Sequence, residues 1–364
     1  MSTCVLVAGG AGYIGSHVCK ALAAAGFRPV ALDTLEKGHD WAVRWGPLVR
    51  ADIGDRAALE AAFAEHRPTA IVNLAGYIEV GESVRQPQRF WQNNVAHTAT
   101  LIELAIQRGI AAFLFSSTCA VYGTPRAALD ERHVFNPESP YGETKLAVER
   151  LLERAAGRGL RSLSLRYFNA AGADADGEIG EAHAPETHLI PLAIAAALQT
   201  GKPLTVFGTD YDTPDGTCLR DYVHVGDVAQ AHVLGLQRLL AGSLDLAGLS
   251  APAVADEARS SLLAPSNRGD VAHESGGCHV AMNLGSGAGS SVREVIDTVS
   301  QVCGKAVPHS LGARRNGDPP RLVGSIAKAR TMLGWQPQHG LVRQVEDALR
   351  WQRRWQAMTS AAAI

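Results

Sequence analysis

Tyr141 and Lys145 stand four residues apart in the stretch Tyr141-Gly142-Glu143-Thr144-Lys145. On a helix that spacing puts both side chains on one face, where a phenol and an ammonium make a proton-transfer pair. A free tyrosine titrates at about pH 10, and lowering that to about 7 takes roughly 4 kcal/mol of preference for the phenolate. One cation about 4 Å away, at an effective dielectric near 20, supplies about that amount. Ser116-Ser117-Thr118 closes the apolar run that begins at Ala111, so further hydroxyls are expected at a strand end.

A second constellation lies at the start of the chain. Cys4-Val5-Leu6-Val7-Ala8 runs into Gly9-Gly10-Ala11-Gly12-Tyr13-Ile14-Gly15 and then into a helical pattern reaching Gly26. Glycines there allow a tight turn, a close approach of backbone to a pyrophosphate, and close packing of helix on strand. The helix would aim its free N–H groups and positive dipole end at the phosphates. A second strand, Pro29 to Leu32, ends in Asp33. An acidic residue about 20 positions past the turn accepts hydrogen bonds from an adenosine ribose and repels a 2′-phosphate, which favours NAD over NADP. Lys145, helped by an oxidised nicotinamide, is then sufficient in magnitude to activate Tyr141.

The elements that must position these groups alternate. Extended pieces are expected at Pro47 to Arg50, Ala70 to Leu74, Ala111 to Ser116 and Leu160 to Arg166. Helices are expected at Asp55 to His66, Pro87 to Arg108 and Tyr141 to Arg158. Strands that are apolar on both faces and separated by helices indicate an α/β protein with a Rossmann-type, doubly wound parallel sheet. Ligands of such a sheet bind at the carboxyl ends of its strands.

With 364 residues, 46% hydrophobic and 19% charged, the chain can bury a full core and is expected to form two lobes. These are a dinucleotide-binding domain over residues 1–168 and a smaller mixed α/β domain over 169–364, mainly for substrate. The net charge of −2 argues against a general nucleic-acid binder. Six scattered cysteines with no Cys-x-x-Cys pair read as reduced, mostly buried thiols. The chain opens almost directly on a strand, leaving no room for a secretory leader, and no run is apolar enough to span a bilayer. A cytoplasmic protein without membrane contact is expected.

Several residues invite chemistry that their surroundings do not support. His224, Asp227 and His232 match no zinc spacing, and no metal is expected. Cys119 adjoins Thr118 but has no evident base or histidine partner, so a nucleophilic thiol is not expected. Trp351 and Trp355 share a helix face and read as packing. Ser243 to His279 lacks aromatic residues, is rich in Ala, Ser and Gly, and is expected to be a long mobile loop.

The chain resembles the UDP-glucose (UDP-galactose) 4-epimerase family of extended short-chain dehydrogenases, from Val5 to about Trp351. The resemblance rests on Gly9 to His17, Gly76 with Val80-Gly81-Glu82-Ser83, Ser116 to Gly123, Pro140-Tyr141-Gly142 with Lys145, and Arg166-Tyr167-Phe168-Asn169. It continues through Phe207 to Tyr211, Asp215-Gly216-Thr217 with Arg220 to Val225, Asn283 to Gly287, Arg314-Arg315 with Gly317-Asp318-Pro319, and Leu333-Gly334-Trp335 with Pro337.

The resemblance implies a reaction. Tyr141, with Thr118 between it and the sugar and Lys145 behind, takes the proton of the 4-hydroxyl while hydride leaves C4 for NAD. The 4-keto sugar turns over and is reduced on its other face. It also implies that NAD is held by Gly9, Gly12, Tyr13, Ile14, Gly15, Asp33, Asp52, Ile53, Leu74, Ala75, Gly76, Asn93, Lys145 and Phe168. The UDP-sugar falls to Thr118, Tyr141, Asn169, Leu189, Phe207, Arg220, Tyr222, Arg315 and Asp318, with Leu322 on the wall of the sugar pocket. Arginines suit a diphosphate because a guanidinium forks across its oxygens.

The chain departs from the family at Asn73, where His is common, at Ile78, where Lys is common, and at His188, where some members have Asn. Gly324-Ser325 stands for Ala-Asp, and Ser325 is expected to cap the helix that follows. The resemblance further implies a homodimer through the helices Pro87 to Arg108 and Tyr141 onward. Leu101, Leu104, Ala105, Leu146, Val148, Leu151 and Leu152 are expected to offer apolar surface beyond what one sheet contact needs. The alternatives are a UDP-sugar 4-epimerase for N-acetylhexosamines, pentoses or uronates, a sugar-nucleotide dehydratase or decarboxylase, and a non-catalytic NAD sensor. Cys119 and Ala120 stand where dehydratases carry acids, and a sensor needs none of Thr118, Tyr141 and Lys145.

Overall fold

In β1 (Cys4–Ala8), Val5 and Val7 belong to one buried cluster and Leu6 and Ala8 to another, so successive side chains feed cores on opposite faces of the sheet. That is why the strands read as continuous apolar runs. The computed structural model describes residues 2–124, 129–244, 270–273, 275–315 and 318–362. The strands that follow are β2 (Arg28–Asp33), β3 (Leu48–Arg50), β4 (Ala70–Asn73), β5 (Ala112–Thr118) and β6 (Arg161–Tyr167). The second half adds β7 (Asn169–Ala171), β8 (Leu204–Phe207), β9 (Leu219–Arg220), β10 (Tyr222–His224), β11 (Val271–Ala272), β12 (Cys278–Leu284), β13 (Ser290–Ser291), β14 (His309–Gly312) and β15 (Arg321–Leu322).

The main sheet runs β11-β12-β6-β5-β4-β1-β2-β3, parallel throughout except for the β11–β12 edge pair. Counted from the β3 edge, its first six strands follow the 3-2-1-4-5-6 order of a doubly wound dinucleotide fold, with the switch point between β1 and β4. Three small sheets, β10-β7, β13-β9-β15 and β14-β8, form the second lobe. They pack on a separate cluster that includes Ile190, Ile194, Val295, Val299 and Val345.

The helices are α1 (Tyr13–Ala24), α2 (Arg56–His66), α3 (Val80–Arg85), α4 (Pro87–Phe90), α5 (Thr98–Gln107), α6 (Pro140–Ala156), α7 (Leu189–Ala197), α8 (Val225–Ala241), α9 (Val292–Cys303), α10 (Ala327–Leu333) and α11 (Leu341–Ala362). None of those described is long and apolar enough to cross a membrane. Ser139 fixes the start of α6: its side chain accepts from the Gly142 N–H at 3.2 Å, and Pro140 occupies the first turn.

The helix expected over Pro87 to Arg108 is three segments. Between α4 and α5, Trp91–His97 takes π-helical hydrogen bonding, a local widening that is frequent at functional sites. The apolar residues expected to form a dimer face are used within the chain. Leu101, Leu104, Ala105, Val148 and Leu152 lie in the core beneath the sheet, Leu151 packs against it, and Leu146 joins a smaller cluster with Tyr122.

The segment Ser243 to His279 is not one loop. Leu244 is buried, Val271–Ala272 pairs antiparallel with β12, and Cys278 and His279 are part of β12 itself. The expectation for 245–269 and 274 falls outside the described residues. Ser325 is also not the cap of α10. Ile326 occupies that position, and the Ser325 hydroxyl accepts from Ala327 N–H only at 3.4 Å.

Candidate active site

One cleft of about 500 Å³ opens at the carboxyl ends of the central strands. Gly9, Gly12, Tyr13, Ile14, Gly15, Asp33, Asp52, Ile53, Leu74, Ala75, Gly76, Asn93 and Phe168 line it, and so do Thr118, Tyr141, Asn169, Leu189, Arg220, Tyr222 and Leu322. The glycine turn is built for closeness. Gly9 has φ +76, and a Cβ on Gly15 would sit 2.0 Å from the Gly9 carbonyl oxygen. No larger residue fits there without moving helix from strand.

Gly12 caps α1 without a side-chain hydrogen bond, and the first turn holds no acidic residue. The leading N–H groups of α1 therefore border the cleft as an unopposed anion site. Asp33 accepts from Ala11 N–H at 3.0 Å and Leu35 N–H at 2.9 Å, which fixes its carboxylate at the end of β2. These residues fit a dinucleotide: backbone donors for the diphosphate and a held carboxylate for a ribose.

Tyr141 and Thr118 both line the cleft; burial pushes the Tyr141 phenol up to about 12, with Thr118 drawing it down. Lys145 is almost fully buried; its ammonium donates to the Ser116 carbonyl at 2.9 Å and lies 5.9 Å from the centre of the Tyr141 ring. Burial pushes Lys145 down to about 8, with Glu149 pulling upward. Burial thus sets the resting value of the phenol, and the activation expected of Lys145 together with an oxidised nicotinamide acts against it. Cys119 is buried and its thiol is pushed up to about 12 by that burial, so it stays a packing group.

Three expected substrate residues stand outside the cleft lining. The Arg315 guanidinium lies 4.0 Å from the centre of the Phe207 ring, and Asp318 pairs with Arg220. Arg220 also donates to the carbonyls of Leu219 at 2.8 Å and Pro319 at 2.9 Å. The four residues form one polar shelf on which only Arg220 reaches the cleft.

Around the cleft, Glu36, Lys37, Tyr77, Glu79 and Asn94 carried no sequence signal, whereas Asn93 was expected there. The π-helical turn exposes Asn93 to the cleft, while Asn94 accepts from Tyr77 N–H at 2.8 Å and donates to Thr144 at 3.2 Å. Asn73, one of the departures, accepts from Ala75 N–H at 3.1 Å and so shapes the loop after β4. Along the rim, Lys37 pairs with Glu79 at 3.1 Å, and the Tyr77 hydroxyl donates to Glu36 at 2.8 Å. Ile78 is exposed between them.

His224, Asp227 and His232 go to separate partners: Asp347 at 3.3 Å, His339 at 2.9 Å and the Tyr167 hydroxyl at 3.1 Å. Among the described residues, donor atoms converge instead in two groups, Glu181-His183-Glu186-His188 and Asp174-Asp176-Glu178. The second surrounds the Lys20 ammonium at 2.7 to 3.2 Å. In the first, His183 and His188 both turn Nδ1 to Glu181; burial opposes their charge, yet the carboxylates carry His183 up to about 10 and raise His188. Both groups are closed ion clusters of protein charges. Trp351, stacked on Trp41, donates to the Glu181 carbonyl at 2.8 Å and holds that loop in place.

The family model for the NAD dependent epimerase/dehydratase family matches residues 5–244. A UDP-glucose 4-epimerase of Rhizobium meliloti (strain 1021) is 47% identical over 352 residues, covering 96% of this chain and 97% of that protein. The crystal structure of UDP-glucose 4-epimerase from Brucella ovis in complex with NAD superposes with a TM-score of 0.84 at 41% identity, covering 96% of this chain and 98% of that one. The UDP-glucose-4-epimerase of Stenotrophomonas maltophila, with bound NAD and formylated UDP-arabinopyranose, gives 0.84 at 34% identity and 99% of both chains.

Proposed function

Because the chain belongs to the NAD-dependent epimerase/dehydratase family, we propose that it is an NAD-dependent enzyme that interconverts UDP-glucose and UDP-galactose. The observation that carries this reading is the meeting of Tyr141, Thr118 and the glycine turn on one cleft, with Lys145 buried directly behind it. When bound, NAD would supply the hydride acceptor in its oxidised nicotinamide ring and the hydride donor in the reduced ring. Tyr141 takes the proton from the 4-hydroxyl through or beside Thr118 and returns it after the 4-keto sugar has turned. Proton and hydride both come back, so no net oxidation occurs.

Turning requires a loosely held sugar on a firmly held nucleotide, so binding energy belongs on the UDP half. Asn169, Leu189, Phe207, Arg220, Tyr222, Arg315 and Asp318 take that half; the polar shelf around Arg220 and the stacking of Arg315 on Phe207 support this assignment. The cofactor set named above takes NAD, with Lys145 serving both cofactor and tyrosine. The lobes divide near Phe168, with α8 and β12 returning to the first. Its location is the cytoplasm, supported by six free cysteines, and it works as a homodimer. The helices expected to form it, over 87–108 and from 141 onward, turn most of their named leucines into the chain's own core, so the partner would meet their outward faces.

A dehydratase reading finds Cys119 and Ala120, not acids, beside Thr118 in the cleft. Incubation of the purified protein with UDP-galactose, followed by chromatography for UDP-glucose, is the test. Recovery of unchanged UDP-galactose would refute the proposal.

A further inference from the structure

Behind the cleft lies a buried ion pair whose residues do not line it. Glu149 stands one helical turn beyond Lys145 on α6, and Arg166 lies on β6; both are 0% exposed. Arg166 meets the carboxylate with two prongs, Nε to Oε1 at 3.0 Å and Nη2 to Oε2 at 2.5 Å, and its Nη1 donates to the Tyr122 hydroxyl at 2.7 Å. The Ser117 hydroxyl also donates to Glu149 Oε1, at 2.5 Å. Ser117 lies between Ser116, whose carbonyl holds Lys145, and Thr118, which lines the cleft with Tyr141.

Stability alone does not explain such a pair, since well-packed apolar residues of similar volume often do as well or better. Its location does. We propose that Glu149 and Arg166 are positioning residues for proton transfer: through Ser117 they lock the last three residues of β5, and as a charge-balanced pair they let the Lys145 ammonium persist in a dry site. This rests on the roles given above to Tyr141, Thr118 and Lys145.

The charges around the lysine make the inference testable. Lys145 is faced by Tyr141 and Glu149 on its own helix, by the Phe115 ring and Ser116 carbonyl on β5, and by Tyr167 beyond Ser116 on β6. Glu149 is faced by Arg166 on β6 and by His279 on β12, which burial pushes down to about 4 and keeps neutral. Further along α6, Glu153 is raised to about 7 by burial and pairs with Arg150.

Glu149→Gln leaves the Arg166 charge uncompensated, so Lys145 loses its proton at lower pH. Arg166→Met leaves Glu149 uncompensated and does the opposite. The alkaline limb of the kcat profile should move down by about one pH unit in the first variant and up in the second, and return toward the parent in the double variant, with the KM for UDP-galactose little changed. Limbs that coincide in all four proteins, or both singles shifting the same way, would overturn the proposal. Should the charge variants not fold, Ser117→Ala decides: a kcat loss of about tenfold at unchanged KM supports it, and parental kcat overturns it. Tyr141→Phe serves as control. If that variant turns over like the parent, the reading of the active site has failed; if it is inactive while the limbs coincide, only the positioning role has.

Discussion

Lys145 Nζ donates to the Ser116 carbonyl at 2.9 Å, so the buried ammonium is tied to the end of β5 and not to the phenol of Tyr141. Thr118, two positions along that strand, lines the cleft with Tyr141 and draws its phenol down against burial. The strand end is thus the common ruler for the acid–base groups. Replacing Tyr141 by Phe should lower kcat by about 10²- to 10⁴-fold, the usual contribution of a general acid–base group. UDP affinity, measured by calorimetry, should stay within about twofold, since the substitution removes one hydroxyl assigned to the sugar and none of the groups assigned to the nucleotide. Turnover within a factor of about two of the parent would remove Tyr141 from its role.

The cofactor should remain bound through turnover, although Ile78 stands where relatives commonly have lysine. Lys37–Glu79 at 3.1 Å and Tyr77–Glu36 at 2.8 Å join the loop after β2 to the loop after β4 along the cleft rim, with Arg89 adding to Glu36 at 2.6 Å. Exposed pairs of this kind contribute about 0 to 1 kcal/mol each. The double variant Lys37→Ala/Tyr77→Phe should therefore lose NAD several-fold faster during dialysis, read as NAD released on denaturing the retained protein. Equal retention would show that the rim does not hold the cofactor.

Around Glu181 the prediction concerns pH. The Glu181 and Glu186 carboxylates outweigh burial and raise His183 to about 10, so its contribution to stability is complete below the free value of about 6.5 and is lost as pH rises toward 10. Glu181 is held down to about 2 by the two histidines against its own burial, so its share is present above about pH 4.3 and lost as pH falls toward 2. The difference in Tm between the parent and Glu181→Gln should be largest between about pH 5 and 6.5 and shrink toward pH 10. A difference that grows with pH would mean His183 is neutral in the folded protein.

The strand pattern, the glycine turn, Asp33 and the helix carrying Tyr141 were legible because each is a local signal: an apolar run, a φ requirement, a spacing of four. What escaped is pairing over distance. Glu36, Lys37, Tyr77 and Glu79 are ordinary loop residues until two loops meet. Within the π-helical turn at Trp91–His97, Asn94 bonds to Tyr77 and Thr144, partners that no helical periodicity encodes. Apolar stripes on α5 and α6 were misjudged for a related reason. A stripe states that it will be buried but not by what, and here the chain's own sheet and helices cover it.

The breadth of sugar acceptance turns on Leu322. It sits on β15 in register with Arg220, so the same two-stranded contact that carries the polar shelf also places a wall residue on the cleft. Its side chain packs beside the cluster of Tyr122 and Leu146, without a ring to project into the sugar space. Arg321, which could have filled that space, is exposed and does not line the cleft, as alternation along a strand requires. The room beside C2 should admit an acetamido group, so UDP-N-acetylglucosamine and UDP-N-acetylgalactosamine should be interconverted, more slowly than the unsubstituted pair. Leu322→Tyr should then cut N-acetyl turnover by about tenfold relative to UDP-galactose turnover, within the 1 to 3 kcal/mol or so that a pocket wall discriminates. Parallel assays of both sugars on both proteins check this. If the parent leaves UDP-N-acetylglucosamine untouched, or if tyrosine at this position lowers both activities alike, the wall that sets sugar choice lies elsewhere in the cleft.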